Sequence, residues 1–145
     1  MISFKSLTRQ TEIGANCYLL KIGNKRILID AGMHPKEEGK KSLPDFTSIY
    51  EHDLDAAILS HAHLDHSGSM PIVQRHYPEM PVMMTEATST LSQALLHNSV
   101  NVMTSKRNEL GLDEYPFFTH REIHKISKRW YHRRTEKKFE LDNDG

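Results

Sequence analysis

The sequence predicts an α/β fold, and three observations carry that prediction. Apolar, strand-like runs come early, at residues 15–22 and 25–30. From residue 54 onward such runs alternate with segments of helical periodicity. Gly and Pro punctuate the joins between them. Strands first and strand–helix alternation afterwards is the pattern of layered α/β domains.

Residues 15–22 read as a strand, Gly23-Asn24 as a turn, and residues 25–30 as the hairpin partner with a buried Ile27-Leu28-Ile29 run. Ala31-Gly32 ends that strand. Residues 33–45 are polar, contain Pro35, Gly39 and Pro44, and read as a loop. A short helix is expected near 46–50 and a buried strand over 54–60. Ser67-Gly68 opens a helix over 70–76, with Pro71 tolerated in its first turn. Pro78 and Pro81 bracket a turn before a short strand at 82–85. A longer helix starts near Glu86 and is expected to carry Leu91, Ala94, Leu95 and Val102 on one side. Residues 119–127 read as a helix with Ile123, Ile126 and Trp130 on one face, and residues 138–141 as a strand. Asn143-Asp144-Gly145 is a hairpin signal with nothing after it, so the sequence is expected to stop within a domain. No internal repeat or low-complexity tract is visible.

A chain of 145 residues suits one domain at most, and 37% hydrophobic with 26% charged residues is a globular composition. The formal net charge is zero, which excludes a global pull toward nucleic acid or membrane. The distribution is uneven, with ten Lys/Arg against five acids over residues 106–138. That stretch, including Arg129, Arg133 and Arg134, is either a solvated helical face or a set of phosphate contacts. Cys17 is the only cysteine, so no intrachain disulfide is possible and nothing demands an oxidising compartment. The N-terminus lacks an apolar leader core and no apolar run approaches membrane-spanning length, so the simplest placement is cytoplasmic.

The chemistry concentrates in His61-Ala62-His63-Leu64-Asp65-His66, directly after the apolar strand at 54–60. Four potential ligands fall within six residues. Imidazole and carboxylate suit zinc, manganese or iron. A tight loop leaving the strand can aim His61 and His63 at one metal and turn Asp65 and His66 toward a second. A structural zinc site would favour cysteines, and Cys17 is distant in sequence. His97, His120, His124 and His132 read as surface or structural residues.

The segment His61-Ala62-His63-Leu64-Asp65-His66-Ser67-Gly68 resembles the signature histidine motif of the metallo-β-lactamase superfamily, His-x-His-x-Asp-His. Asp30, closing the Ile27-Leu28-Ile29 run, resembles that family's first motif, an Asp that steadies the metal loop by hydrogen bonding rather than as a ligand. Ser60 to Pro71 is similar to the β-CASP group of RNA-processing nucleases, related to the cleavage and polyadenylation endonuclease. Asp55-Ala56-Ala57-Ile58-Leu59 before the motif is similar too, as is Pro81-Val82-Met83-Met84-Thr85 with Thr88 and Leu91 after it. The resemblance covers roughly residues 11–141. It implies the N-terminal half of an αββα sandwich, so that residues 1–145 are a partial domain, incomplete at the C-terminus.

In chemical terms the resemblance implies two Zn2+ ions in a complete domain, with Mn2+ or Fe2+ as alternatives. His61 and His63 would hold one and Asp65 and His66 the other, with Asp65 also orienting the attacking water. The implied reaction is phosphodiester hydrolysis of RNA or another single-stranded nucleic acid. The family's third-motif His, in a Gly-His segment, and its fourth-motif Asp have no counterpart here. The isolated chain is therefore expected to bind metal weakly and to need a partner or a C-terminal half. Two other readings stand beside a ribonuclease: a hydrolase of esters, thioesters or lactones, and a non-catalytic remnant or partner-binding subunit.

Overall fold

The computed structural model describes residues 1–9 and 14–140. Six strands form one sheet in the order β1-β2-β3-β4-β5-β6, which is also chain order. β1 (Ile2–Ser6), β2 (Tyr18–Ile22) and β3 (Lys25–Ile29) are antiparallel neighbours. Gly23, at φ 58°, makes the β2–β3 turn in a backbone region that glycine enters freely. β4 (Ala56–Ile58), β5 (Val82–Met84) and β6 (Trp130–His132) continue from β3 in parallel. The carboxyl ends of β3 to β6 therefore share one edge of the sheet, where open α/β sheets hold their ligands.

The helices are α1 (Thr47–Tyr50), α2 (Leu64–Ser67), α3 (Met70–His76), α4 (Glu86–Leu110) and α5 (His120–Ser127). A 3-10 turn spans Gly39–Ser42. The strand registers place Leu19, Leu28, Ala57 and Val82 on one sheet face. They are buried in a core with Met70, Val73, Leu96, Ile123 and Ile126 from the helices. The opposite face carries Phe4, Leu20, Ile27, Ile58, Met83 and Tyr131, and its margins at Ile2, Phe4, Ile22 and Tyr131 are exposed. This mixed α/β layer agrees with the fold class expected from the sequence. Among the described residues no helix is long and apolar enough to cross a membrane.

Several local expectations are met. The helix over 70–76 has Pro in its first turn. α4 begins at Glu86 behind Thr85, whose hydroxyl accepts the Thr88 N–H at 3.2 Å, and ends at Gly111 with φ 66°. α5 starts with a reciprocal capping box between Thr119 and Glu122.

Other expectations are corrected. The face of α4 turned to the core is Thr88, Ser89, Ser92, Leu96, Ser99, Val100 and Met103, whereas Leu91 is 57% and Val102 43% exposed. Small hydroxyl residues let this helix pack closely against α2, α5 and β6, a contact that apolar periodicity alone does not reveal. Trp130 begins an edge strand instead of extending α5, and β1 is a strand the sequence reading did not assign. Residues 138–140 form no strand, while Leu141 and the turn expected at 143–145 lie outside the described residues.

Candidate metal centre

The expected ligands sit just past the carboxyl end of β4. Ligand atoms of His61, His63 and Asp65 all lie within 4.8 Å of one another. Modest side-chain rotation brings such a group onto one ion at about 2.0–2.2 Å per ligand. Asp65 and His66 belong to the single helical turn α2, for which His63 is the N-cap, rather than to a loop. The His66 ring centroid lies 3.9 Å from that of His61, and its Nε2 lies 3.6 Å from Asp65 Oδ2.

Asp30 organises this cluster from beneath. It is buried and adopts φ 60°, a left-handed conformation that Asp tolerates better than most residues. Its Oδ1 accepts the Ser60 backbone N–H at 2.7 Å. Its Oδ2 accepts the Ser60 hydroxyl at 2.7 Å and His66 Nδ1 at 2.8 Å. The Ser60 hydroxyl has one hydrogen and gives it to Asp30. Its 3.1 Å contact with His61 Nδ1 therefore assigns the His61 hydrogen to Nδ1. Both imidazoles are thereby left with Nε2 as the lone-pair nitrogen, free to face a metal.

Asn16 fixes the other side. Its Nδ2 lies 3.2 Å from Gly14 O, 3.1 Å from Asp65 O and 3.2 Å from His66 Nε2. Two amide hydrogens face three acceptors, so the amide stays satisfied when His66 Nε2 turns to a metal. This donor set fits a divalent ion.

The backbone beneath these side chains is tied to the segments before β2 and after β3. Asp65 O accepts from Asn16 N, His66 O from Ala31 N, and Leu64 O from Met33 N, each at 2.8–2.9 Å. A Cβ on Gly32 would fall 1.7 Å from Asp65 O, and one on Gly68 would fall 2.5 Å from Leu64 O. Both glycines are required by close backbone approach. Asn16, Ser60, Gly32 and Gly68 build the site, yet the sequence suggests no site role for Asn16 or Ser60 and marks Gly32 and Gly68 only as a strand end and a helix start. Ser60 and Gly68 lie beside the histidines in sequence, the local signal by which they could have been found.

A cavity of about 580 Å³ adjoins His63 and Asp65, with Met33, Leu95, Val102 and Lys106 among the residues that line it. The three arginines separate. Arg133 and Arg134 follow β6 at the sheet edge that also bears the cluster, and the Arg133 guanidinium lies 4.8 Å from the Phe139 ring centroid. Arg129 precedes β6, at the other end of the strand, and pairs with Glu79 at 2.5 Å.

The model of the metallo-beta-lactamase superfamily matches residues 11–125. The chain belongs to the metallo-beta-lactamase superfamily. Among curated relatives of this superfamily chain, Endoribonuclease YSH1 of Saccharomyces cerevisiae is 32% identical over 123 residues, covering 83% of this chain and 16% of the relative. Endoribonuclease YSH1 of Kluyveromyces lactis is 35% identical over 113 residues, covering 77% of this chain and 15% of the relative. The chain thus spans about one sixth of the length of these relatives. An archaeal metallo-beta-lactamase superfamily protein of Sulfolobus tokodaii shares the fold at a TM-score of 0.57 and 18% identity, covering 99% of this chain and 53% of that one. Membership implies a divalent metal. The resemblance drawn from the histidine segment therefore holds at the level of the family, and the named relatives are endoribonucleases, the class toward which its flanks pointed.

Proposed function

We propose that this chain is the metal-holding part of an endoribonuclease, cytoplasmic and zinc-dependent, that hydrolyses phosphodiester bonds of single-stranded RNA. The observation that carries the proposal is the triad of donor atoms from His61, His63 and Asp65 at the carboxyl edge of the parallel strands. The endoribonuclease relatives supply the substrate class.

In this reading His61 and His63 hold one ion and Asp65 and His66 face a second. Zinc in such a site makes water available as a nucleophile near neutral pH and offsets charge on phosphoryl oxygens. Asp65 holds and orients the attacking water. Asp30, through Ser60 and His66, keeps the imidazoles in the ligand-competent tautomer. Arg133 and Arg134, on the same sheet edge, contact phosphates of the bound strand. Four clustered side chains are too few for two zinc sites, so we propose that residues 1–145 are part of a domain whose remaining ligands come from outside them.

The test is cleavage of an end-labelled single-stranded RNA by protein carrying these residues, stripped with chelator and then given Zn2+, against His63→Ala. Cleavage restored by Zn2+ and lost in the variant supports the proposal. Cleavage that survives chelation and His63→Ala, or Zn2+-dependent hydrolysis of a lactone or thioester with RNA left intact, overturns it.

A further inference from the structure

A second group of imidazoles stands outside this centre, on the exposed side of the two long helices. His97 of α4 faces His120 and His124 of α5, with ring centroids 5.0 and 5.1 Å away. His120 and His124 are spaced i, i+4 and so share one helical face, the spacing with which helices present two imidazoles to one zinc ion. His97 Nδ1 lies 2.7 Å from His120 Nδ1. Two bare lone pairs do not approach so closely, so one of the two nitrogens carries the hydrogen of an N–H···N bond.

The tautomers can be assigned. His120 Nε2 lies 3.1 Å from Asn101 Oδ1, an acceptor, so His120 donates from Nε2. Its Nδ1 is then the lone-pair nitrogen, aimed at His97. Donating the distal ring N–H to a carbonyl oxygen is the support that metal-bound histidines ordinarily have. His97 is held below the usual histidine range by burial first, and then by the charges of His120 and His124. Neutral imidazole is the form a metal takes.

We propose that His97, His120 and His124 form a second transition-metal site, specific for an imidazole-preferring divalent ion such as Zn2+, that clamps α4 to α5. Without metal, His97 donates its Nδ1 hydrogen to His120 Nδ1. Nitrogens bound to one tetrahedral zinc at about 2.0–2.1 Å lie about 3.4 Å apart, so a metal would take the place of that hydrogen, which passes to His97 Nε2, once the two rings open by about 0.7 Å. A rotation of His124, also exposed, supplies the third ligand.

The test uses the full chain carrying His61→Ala and His63→Ala, so that Zn2+ at the first centre is lost. Equilibrium dialysis against Zn2+ is expected to leave an ion bound. Adding His120→Ala is expected to release it, and adding Asn101→Ala to weaken binding about 10–100-fold. Circular dichroism checks that each variant is folded, and histidine side-chain NMR is expected to show Zn2+ shifting Nδ1 of His97 and His120. If the doubly substituted chain holds no Zn2+, or holds it equally well with His120→Ala, the proposal is overturned. Conservative His120→Gln, which keeps polarity without a ligand nitrogen, is expected to behave like His120→Ala.

Discussion

Asp30→Ala removes the carboxylate beneath the candidate metal centre and leaves the four proposed ligands in the sequence. The carboxylate accepts three hydrogen bonds, from Ser60 N–H, the Ser60 hydroxyl and His66 Nδ1. A bond to a charged acceptor contributes about 1.5–3 kcal/mol. The Ser60 hydroxyl can turn toward solvent and the partly exposed His66 can find water, so only the backbone N–H loses its full share. Recovery of the carboxylate's own desolvation trims the sum further. The net loss from hydrogen bonding is then about 3 kcal/mol. Alanine at φ 60° adds about 1 kcal/mol of backbone strain that Asp and Asn largely escape. The expected cost is about 4 kcal/mol for Asp30→Ala, and about 2 kcal/mol for Asp30→Asn, which keeps one acceptor and tolerates the backbone. Either is a large fraction of the 5–15 kcal/mol typical of a domain. Urea unfolding followed by the fluorescence of Trp130, the sole tryptophan, reads the difference. Asp30→Ala within about 1 kcal/mol of the parent, or Asp30→Asn as damaging as Asp30→Ala, would refute this account of the site.

Three further perturbations test other contacts. Gly32→Ala drives a methyl group to 1.7 Å from Asp65 O, so the ligand turn must move by more than 1 Å; a loss of about 3 kcal/mol or more in urea unfolding is expected, with weakened Zn2+ binding by dialysis. Gln74→Leu removes the acceptor, at 2.9 Å, of the buried Trp130 indole N–H, and a cost of about 1–3 kcal/mol with altered Trp130 emission is expected. Tyr115 is pushed up to about 12 by burial first and by its hydrogen bond to Glu38 second. Its folded value is raised, so its contribution to stability is complete below the usual phenol value near 10 and is lost as pH rises through about 12. Unfolding titrations across that window are expected to flatten in Tyr115→Phe.

The histidine segment was legible because its members are neighbours in sequence and strand patterning fixed the end of β4 beneath them. Asp30 was legible for the same reason, closing an unmistakable apolar strand. Asn16 was not: it meets Asp65 and His66 across about fifty positions, and nothing in its surroundings marks it. Gly32 reads as a strand terminator until the approach of Asp65 O is seen. The inward face of α4 misled for a physical reason. Close helix packing selects small side chains, so serines point inward while Leu91 and Val102 remain wetted. β6 is three residues long, too short for alternation to register against the helix before it.

The turn bearing Asp65 and His66 is held by three backbone hydrogen bonds, one from Asn16 before β2 and two from Ala31 and Met33 after β3. Its geometry is therefore fixed in part by the polypeptide's own backbone hydrogen bonds. Fixing a residue's backbone costs about 1–2 kcal/mol, and here that cost falls on the polypeptide as it folds rather than on the metal as it binds. Ion capture then resembles a key entering a cut lock, with little change in heat capacity. If the site holds an ion as proposed, chelation and denaturation are expected to be separable events, the turn keeping its shape after the ion has left.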